Sequence, residues 1–149
     1  ARGAYASSLG VILSSRLTAS HAKGGTFAAS EPVLFIEYPP CSTCKKAKRW
    51  LDDHGIAYTD RHIVEDNPTA DEIADWQARS GLPLRRFFNT SGMKYRELGV
   101  KAMLDAGMAE DDARALLATD GMLVKRPIVV AGDTVLVGFK EAAWEAALL

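Results

Sequence analysis

Val33-Leu-Phe-Ile-Glu-Tyr-Pro-Pro-Cys-Ser-Thr-Cys-Lys-Lys-Ala-Lys-Arg-Trp-Leu-Asp-Asp-His-Gly55 decides how this chain folds. Val33 to Tyr38 is a short apolar run stopped by Pro39-Pro40, so it reads as a buried strand. Ser42 to His54 reads as a helix closed by Gly55, the residue type that most easily takes the left-handed backbone at helix ends. Within that helix Cys44, Ala47 and Leu51 fall at i, i+3 and i+7 and share one face. Cys41, Lys45, Lys48 and Arg49 lie on another. The first cysteine should therefore face solvent or substrate, and the second should turn inward.

Cys41 and Cys44 are the only cysteines among 149 residues. Thiolate, not thiol, attacks a disulfide or another electrophilic atom. A cysteine at the first turn of a helix feels the positive end of the backbone dipole, which favours thiolate. Pro40 rigidifies the entry, the N–H groups of Ser42, Thr43 and Cys44 surround the sulfur, and Lys45 adds positive charge. Together these should lower Cys41 below the free value of about 8.5, into the range of about 3.5–7.5 found for activated cysteines. Cys44 is near enough to close a disulfide and is the expected resolving thiol. Ser42 and Thr43 can donate to a bound anion. The alternative for C-x-x-C is half of a zinc site, for which only His21, His54 and His62 remain as further ligands. His54 caps the same helix and His62 ends a strand, and neither spacing argues for metal. Two cysteines that merely pack fit the strand–Pro–helix context less well.

Working outward, Ile56 to Ile63 suits a second strand, and Asn67-Pro68-Thr69 breaks the pattern. Thr69 with Glu72 forms a T-x-x-E capping box that opens a helix to about Ser80, before Gly81. Pro83 starts a short helical piece holding Arg85, Arg86, Phe87 and Phe88. Asn89 to Gly92 is a turn. Two short helices follow, around Tyr95–Leu104 and Glu110–Thr119, stopped by Asp120-Gly121. Pro127–Val130 and Val135–Val137 flank Gly132-Asp133 as a tight hairpin. Lys140 to Leu149 is a final helix with Trp144 and Leu148 packing inward.

The order β-α-β, helical block, β-β-α matches an α/β thioredoxin-like fold, a mixed four-stranded sheet with a helical insertion at about 67–121. In that fold the residue before the third strand is a proline, usually cis, whose loop lies beside the active cysteine. Pro127 stands there. Arg126 would then point its guanidinium at Cys41, to stabilise the thiolate or hold an anion, the alternative being an exposed basic pair. One of Arg85 and Arg86 can face the cleft and bind an anionic group, and Arg85 is assigned to the substrate side. A solvated helix face is the alternative. Phe87, Phe88, Trp50 and Trp76 read as core.

Composition sets the frame. Apolar residues make up 48% of the chain, enough for a real core. With 18 basic and 19 acidic residues, bulk charge points to neither nucleic acid nor an anionic membrane. Two cysteines do not make a secreted disulfide scaffold, so a reducing compartment, the cytoplasm, is expected. Residues 1–30 hold Arg2, Arg16 and Lys23 without any Asp or Glu, and are rich in Ala, Ser and Gly. They read either as a flexible or artefactual extension or as an organellar transit segment, and the folded domain is assigned to residues 31–149.

Three segments carry a resemblance. Tyr38-Pro-Pro-Cys-Ser-Thr-Cys-Lys-Lys-Ala-Lys-Arg-Trp-Leu51, Gly81-Leu-Pro-Leu-Arg-Arg-Phe-Phe-Asn-Thr-Ser-Gly-Met-Lys-Tyr-Arg-Glu-Leu-Gly99 and Asp120-Gly-Met-Leu-Val-Lys-Arg-Pro-Ile-Val-Val130 run in the order of the ArsC/Spx family of thioredoxin-like proteins. Over about residues 32–149 the chain resembles that family's C-x-x-C branch. For its glutaredoxin-coupled arsenate reductases, the resemblance implies one active cysteine, at Cys41, and three arginines that hold arsenate. Arg126 matches the first. The others would fall at Asn89 and near Gly138, and Cys44 stands where such reductases carry serine.

The resemblance implies a thiol–disulfide oxidoreductase, with Cys41 as nucleophile and Cys44 as resolving thiol. Glutathione, glutaredoxin or thioredoxin would be the electron donor, and no cofactor or metal would be tightly bound. The substrate would be a small-molecule or protein disulfide. An alternative implied by the Spx branch is a redox-switched transcription regulator that binds the RNA polymerase α-subunit. Arsenate reduction is the third reading. A monomer that touches neither nucleic acid directly nor membrane is expected.

Overall fold

The computed structural model describes residues 33–149, so the expectations for the first thirty residues lie outside the described part. Strand β1 (Val33–Glu37) leads through Pro39-Pro40 into helix α1 (Ser42–Asp53), and β2 (Tyr58–His62) returns parallel to β1. The helical block comprises α2 (Ala70–Ser80), a 3₁₀ turn (Leu84–Phe87), α3 (Met93–Glu97), α4 (Val100–Asp105), α5 (Glu110–Leu117) and a second 3₁₀ turn (Gly121–Leu123). Strands β3 (Ile128–Ala131) and β4 (Thr134–Val137) form the hairpin, and α6 (Glu141–Leu148) ends the chain. The sheet order is β2-β1-β3-β4, with β1–β3 and β3–β4 antiparallel. This is the thioredoxin-like arrangement expected from the element order.

Side-chain alternation along β1 divides the core in two. Phe35 faces α1 and α6, packing with Ala47, Trp50, Leu51, Val129 and Trp144. Ile36 faces the helical block, with Ile73, Phe87, Leu117 and Ile128 among its cluster. Trp50, Trp76, Phe87, Phe88 and Trp144 are all buried, as read from sequence. Leu148 is partly buried against the α1 side.

The capping box at α2 forms as expected. The Glu72 N–H donates to Thr69 Oγ1 at 3.0 Å, and the Thr69 N–H donates to Glu72 Oε1 at 3.0 Å. The same Glu72 carboxylate receives both terminal nitrogens of Arg61 at 2.8 Å, so a helix cap also ties α2 to β2. One expectation fails. The stretch Tyr95–Leu104 is not one helix but parts of two, because Gly99 takes a left-handed backbone (φ 67°) and restarts the chain as the cap of α4.

Gly121 is required for a different reason. A Cβ built there would lie 2.0 Å from the Ile63 carbonyl oxygen, which belongs to backbone and cannot rotate away. Gly121→Ala should therefore destabilise by about 2 kcal/mol or more, as overpacking does, and lower the denaturant midpoint without changing the slope.

Candidate active site

Cys41 is the cap residue of α1, with extended backbone (φ −74°, ψ 127°), and its N–H donates to the Tyr38 carbonyl at 2.9 Å. The Pro39-Pro40 turn thus delivers the sulfur to the helix's positive end. Burial resists ionisation of Cys41. The Cys44 N–H, the Cys44 thiol, the Arg126 guanidinium and the Thr43 N–H all favour the thiolate, and they win. The thiol sits below its ordinary range.

Cys44 is its opposite. It is fully buried, and burial pushes its thiol up to about 12, despite a hydrogen bond with the Tyr38 backbone that acts the other way. The neighbouring Cys41 and the charge of Glu37 raise it further. Neither cysteine is in a disulfide. The pair is therefore a partly exposed thiol that ionises more readily than an ordinary one, backed by a buried thiol that resists ionising.

Cys41 opens into a cleft of about 680 Å³ lined by Thr43, Arg86, Asn89, Lys125, Arg126, Gly138 and Lys140, among others. No lining residue is acidic, so the cleft attracts anions. The Arg126–Pro127 bond is cis. The Arg126 guanidinium stacks 4.9 Å from the Tyr38 ring centre, and Tyr38 in turn meets His62 edge-on at 6.0 Å. The Nη1 of Arg126 is buried without a hydrogen-bond partner among the described residues, which leaves a donor for a bound anion. Arg126→Gln should move the Cys41 thiol upward and slow its alkylation near neutral pH, because the positive neighbour is lost. Alkylation rates measured against pH check this.

The sequence-assigned residues divide. Cys41, Thr43 and Arg126 meet in the cleft, with Cys44 behind and Pro127 next to Arg126. Ser42 and Lys45 are exposed and outside the lining. Arg85 is paired with Asp105 at 2.8 Å, and its neighbour Arg86 lines the cleft instead, because a 3₁₀ turn separates successive side chains by about a third of a circle. Asn89 and Gly138, where the resemblance places arginines, both line the cleft as uncharged residues. Phe139 and Lys140 have no local sequence signal. The exit from β4 brings them in, anchored where Trp144 Nε1 donates to the Gly138 carbonyl at 3.1 Å.

Lys48 departs from its assigned face. It reaches the sheet, where Nζ lies 2.7 Å from Asp60 Oδ2 and 3.5 Å from Glu37 Oε2. Glu37 is the one buried charged residue among those described, at 3% exposure. Burial, reinforced by a hydrogen bond and charge repulsion from Asp60, raises it to about 7, while Lys48 pulls the other way. Asp60 stays below the carboxylate range: burial works against it, but the Glu37 proton and Lys48 favour its charge. A charged residue at the end of an apolar strand was the available signal for Glu37. Among the described residues no cluster of three His, Cys, Asp or Glu is placed to hold a metal.

Comparison with known proteins places the chain. The profile of the ArsC family matches residues 36–147. The uncharacterized protein YusI of Bacillus subtilis is 51% identical over 113 residues, spanning 76% of this chain and 95% of that protein. The global transcriptional regulator Spx of Staphylococcus saprophyticus is 31% identical over 109 residues, spanning 73% and 81%. A crystal structure of an ArsC family related protein from Bacteroides fragilis superposes with a TM-score of 0.75 at 53% identity, covering 78% of this chain and 97% of that one.

Proposed function

The chain belongs to the ArsC family, and on that premise we propose that it is a thiol–disulfide oxidoreductase. Cys41 attacks one sulfur of a disulfide, the partner thiolate leaves, and a mixed disulfide remains on Cys41. Cys44 then attacks the Cys41 sulfur, releasing the second partner thiolate and closing the Cys41–Cys44 disulfide. Glutathione, glutaredoxin or thioredoxin returns the pair to the dithiol. The observation that carries this reading is the pairing of a readily ionised thiol at the cleft with a buried thiol behind it that keeps its proton. The chain acts in this reading as a monomer in the cytoplasm. No helix among the described residues is long and apolar enough to cross a membrane.

The substrate end of the cleft favours a disulfide bearing carboxylates over compact arsenate. Arg86, Lys125, Arg126 and Lys140 are distributed around the lining, while Asn89 and Gly138 hold no charge where a tight oxyanion cage needs it. The test supplies the reduced protein with glutathione mixed disulfides or with arsenate, each with glutathione plus glutaredoxin or with thioredoxin. Turnover of the disulfides and none of arsenate is expected. Preferential arsenate turnover, or no disulfide turnover with any donor, overturns the reading.

A second reading, a redox-switched regulator, is favoured by the similarity to Spx. Capture of RNA polymerase by the oxidised but not the reduced chain would support it over the enzyme.

A further inference from the structure

Resolution poses a problem that Cys41 chemistry does not solve. Cys44 must lose its proton to attack the mixed disulfide, yet it is fully buried and without water contact. Its own helix supplies no base within a turn: at i+4 stands Lys48, a cation, and the helix carboxylates Asp52 and Asp53 lie two turns on. What Lys48 holds is the Glu37–Asp60 carboxyl pair, at 3.5 and 2.7 Å. Alternation along β1 puts Glu37 on the Phe35 face, the one Ala47 and Leu51 of α1 cover. Lys48 reaches Glu37 there, and Cys44, buried one turn before Lys48 on the Ala47 side of the helix, feels the Glu37 charge.

We propose that Glu37 is the proton acceptor for Cys44 in the resolving step, and that Asp60 passes the proton on to solvent. This rests on the thiol–disulfide reading above. The step balances. The Glu37 carboxylate takes the Cys44 proton, the Cys44 sulfur forms a bond to the Cys41 sulfur, and the Cys41–partner bond breaks with its electron pair leaving on the partner thiolate. The Cys41–Cys44 pair is oxidised and the partner sulfur reduced. Glu37 now holds the proton in a hydrogen bond to Asp60, which is 36% exposed and opens to water.

The surroundings fit the role from every side. Lys48 and Cys44 face Glu37 from α1. Asp60 faces it from β2, with His62 paired to Glu37 in register and Tyr58 further along the strand. On the other flank β3 offers apolar Ile128 and Val129. Glu37 lies close enough to Cys44 for its charge to raise the thiol, without a hydrogen bond in the resting dithiol. Transfer takes a rotation of the glutamate side chain toward the thiol, because a proton acceptor works at hydrogen-bond distance. Because Glu37 titrates at about 7, it accepts a proton near neutrality, where an ordinary exposed carboxylate is too weak a base.

The test uses the full chain and Ellman's reagent, which releases one thionitrobenzoate when Cys41 attacks and a second when Cys44 resolves. In Glu37→Gln the first phase should keep its wild-type rate, and the second should slow by about 100-fold, within the range a positioned proton acceptor supplies. The wild-type second phase should rise with pH through about 7, and Glu37→Gln should lose that rise. Asp60→Asn removes the neighbour that raises Glu37, so the rise should move to lower pH. An unchanged second phase and pH profile in Glu37→Gln overturns the proposal, as does equal slowing of both phases. Absence of the first phase in the wild type instead overturns the reading on which it rests.

Misfolding is separable from loss of the base. A buried acid raised to about 7 lowers stability as pH rises from the free carboxylate value through 7, because the native state must then ionise a carboxyl that prefers its proton. Glu37→Gln removes that loss, so its denaturant midpoint should be no lower than wild type at pH 8.

Discussion

Cys41→Ser is expected to lower disulfide turnover by about 10³-fold or more, the scale on which loss of an enzyme's nucleophile is felt. The hydroxyl neither ionises at neutral pH nor forms a sulfur–sulfur bond, so the first covalent step has no route. The same change should not weaken the fold. Cys41 occupies the cap of α1, where the Thr43 and Cys44 N–H groups approach its sulfur without a full cap hydrogen bond. Serine is among the preferred caps, and its oxygen can accept an N–H of the first turn. The variant should therefore gain up to about 1 kcal/mol while losing its activity. Steady-state assays with a glutathione mixed disulfide and denaturant melts, run on one preparation, read both effects. Residual turnover near the wild-type rate would remove Cys41 from the reaction.

Cys44→Ser should arrest the reaction one step later. Cys41 keeps its helix terminus and Arg126, so the first attack proceeds. Without a second thiol the mixed disulfide persists, and intact mass should show one partner group per chain. Turnover without added thiol should fall by about 100-fold or more, the weight of losing an intramolecular nucleophile. Glutathione should restore part of it in a concentration-dependent way, because an external thiol then substitutes for Cys44. The variant gives up one contributor to the low Cys41 value, the Cys44 thiol, so its first phase should lose some speed near neutral pH. A variant that still closes a full catalytic cycle at the wild-type rate without external thiol contradicts the resolving role.

Much of this was legible because the informative residues are local. A strand, two prolines and a cysteine at a helix start dictate backbone direction within a few residues, so β1, α1 and the partly exposed and buried positions of Cys41 and Cys44 follow from spacing alone. Arg126 was reachable because the thioredoxin-like order fixes where the loop before β3 must lie. The helix around Tyr95 was less legible, since helical periodicity continues past Gly99 while the backbone does not. Arg85 and Arg86 could not be separated, because their rotation depends on a 3₁₀ rather than an α turn. Lys48 was placed with Cys41 because a face was drawn from charge. Counting four residues from Cys44 puts it on the sheet side, where two carboxylates await it. Glu37 reads as the polar end of an apolar strand until register shows Asp60 on its face. Phe139 and Lys140 enter the cleft only through the return of the chain after β4, which no local pattern records.

The most direct test of the account is the pH dependence of alkylation, followed at each cysteine by peptide mass in the reduced protein. Cys41 should react as a thiolate with its inflection below the ordinary thiol value, while Cys44 stays unmodified until strongly alkaline pH, in keeping with a thiol near 12. If the two cysteines instead titrate together at the ordinary value, or Cys44 is labelled first, the division between nucleophile and resolving thiol is wrong.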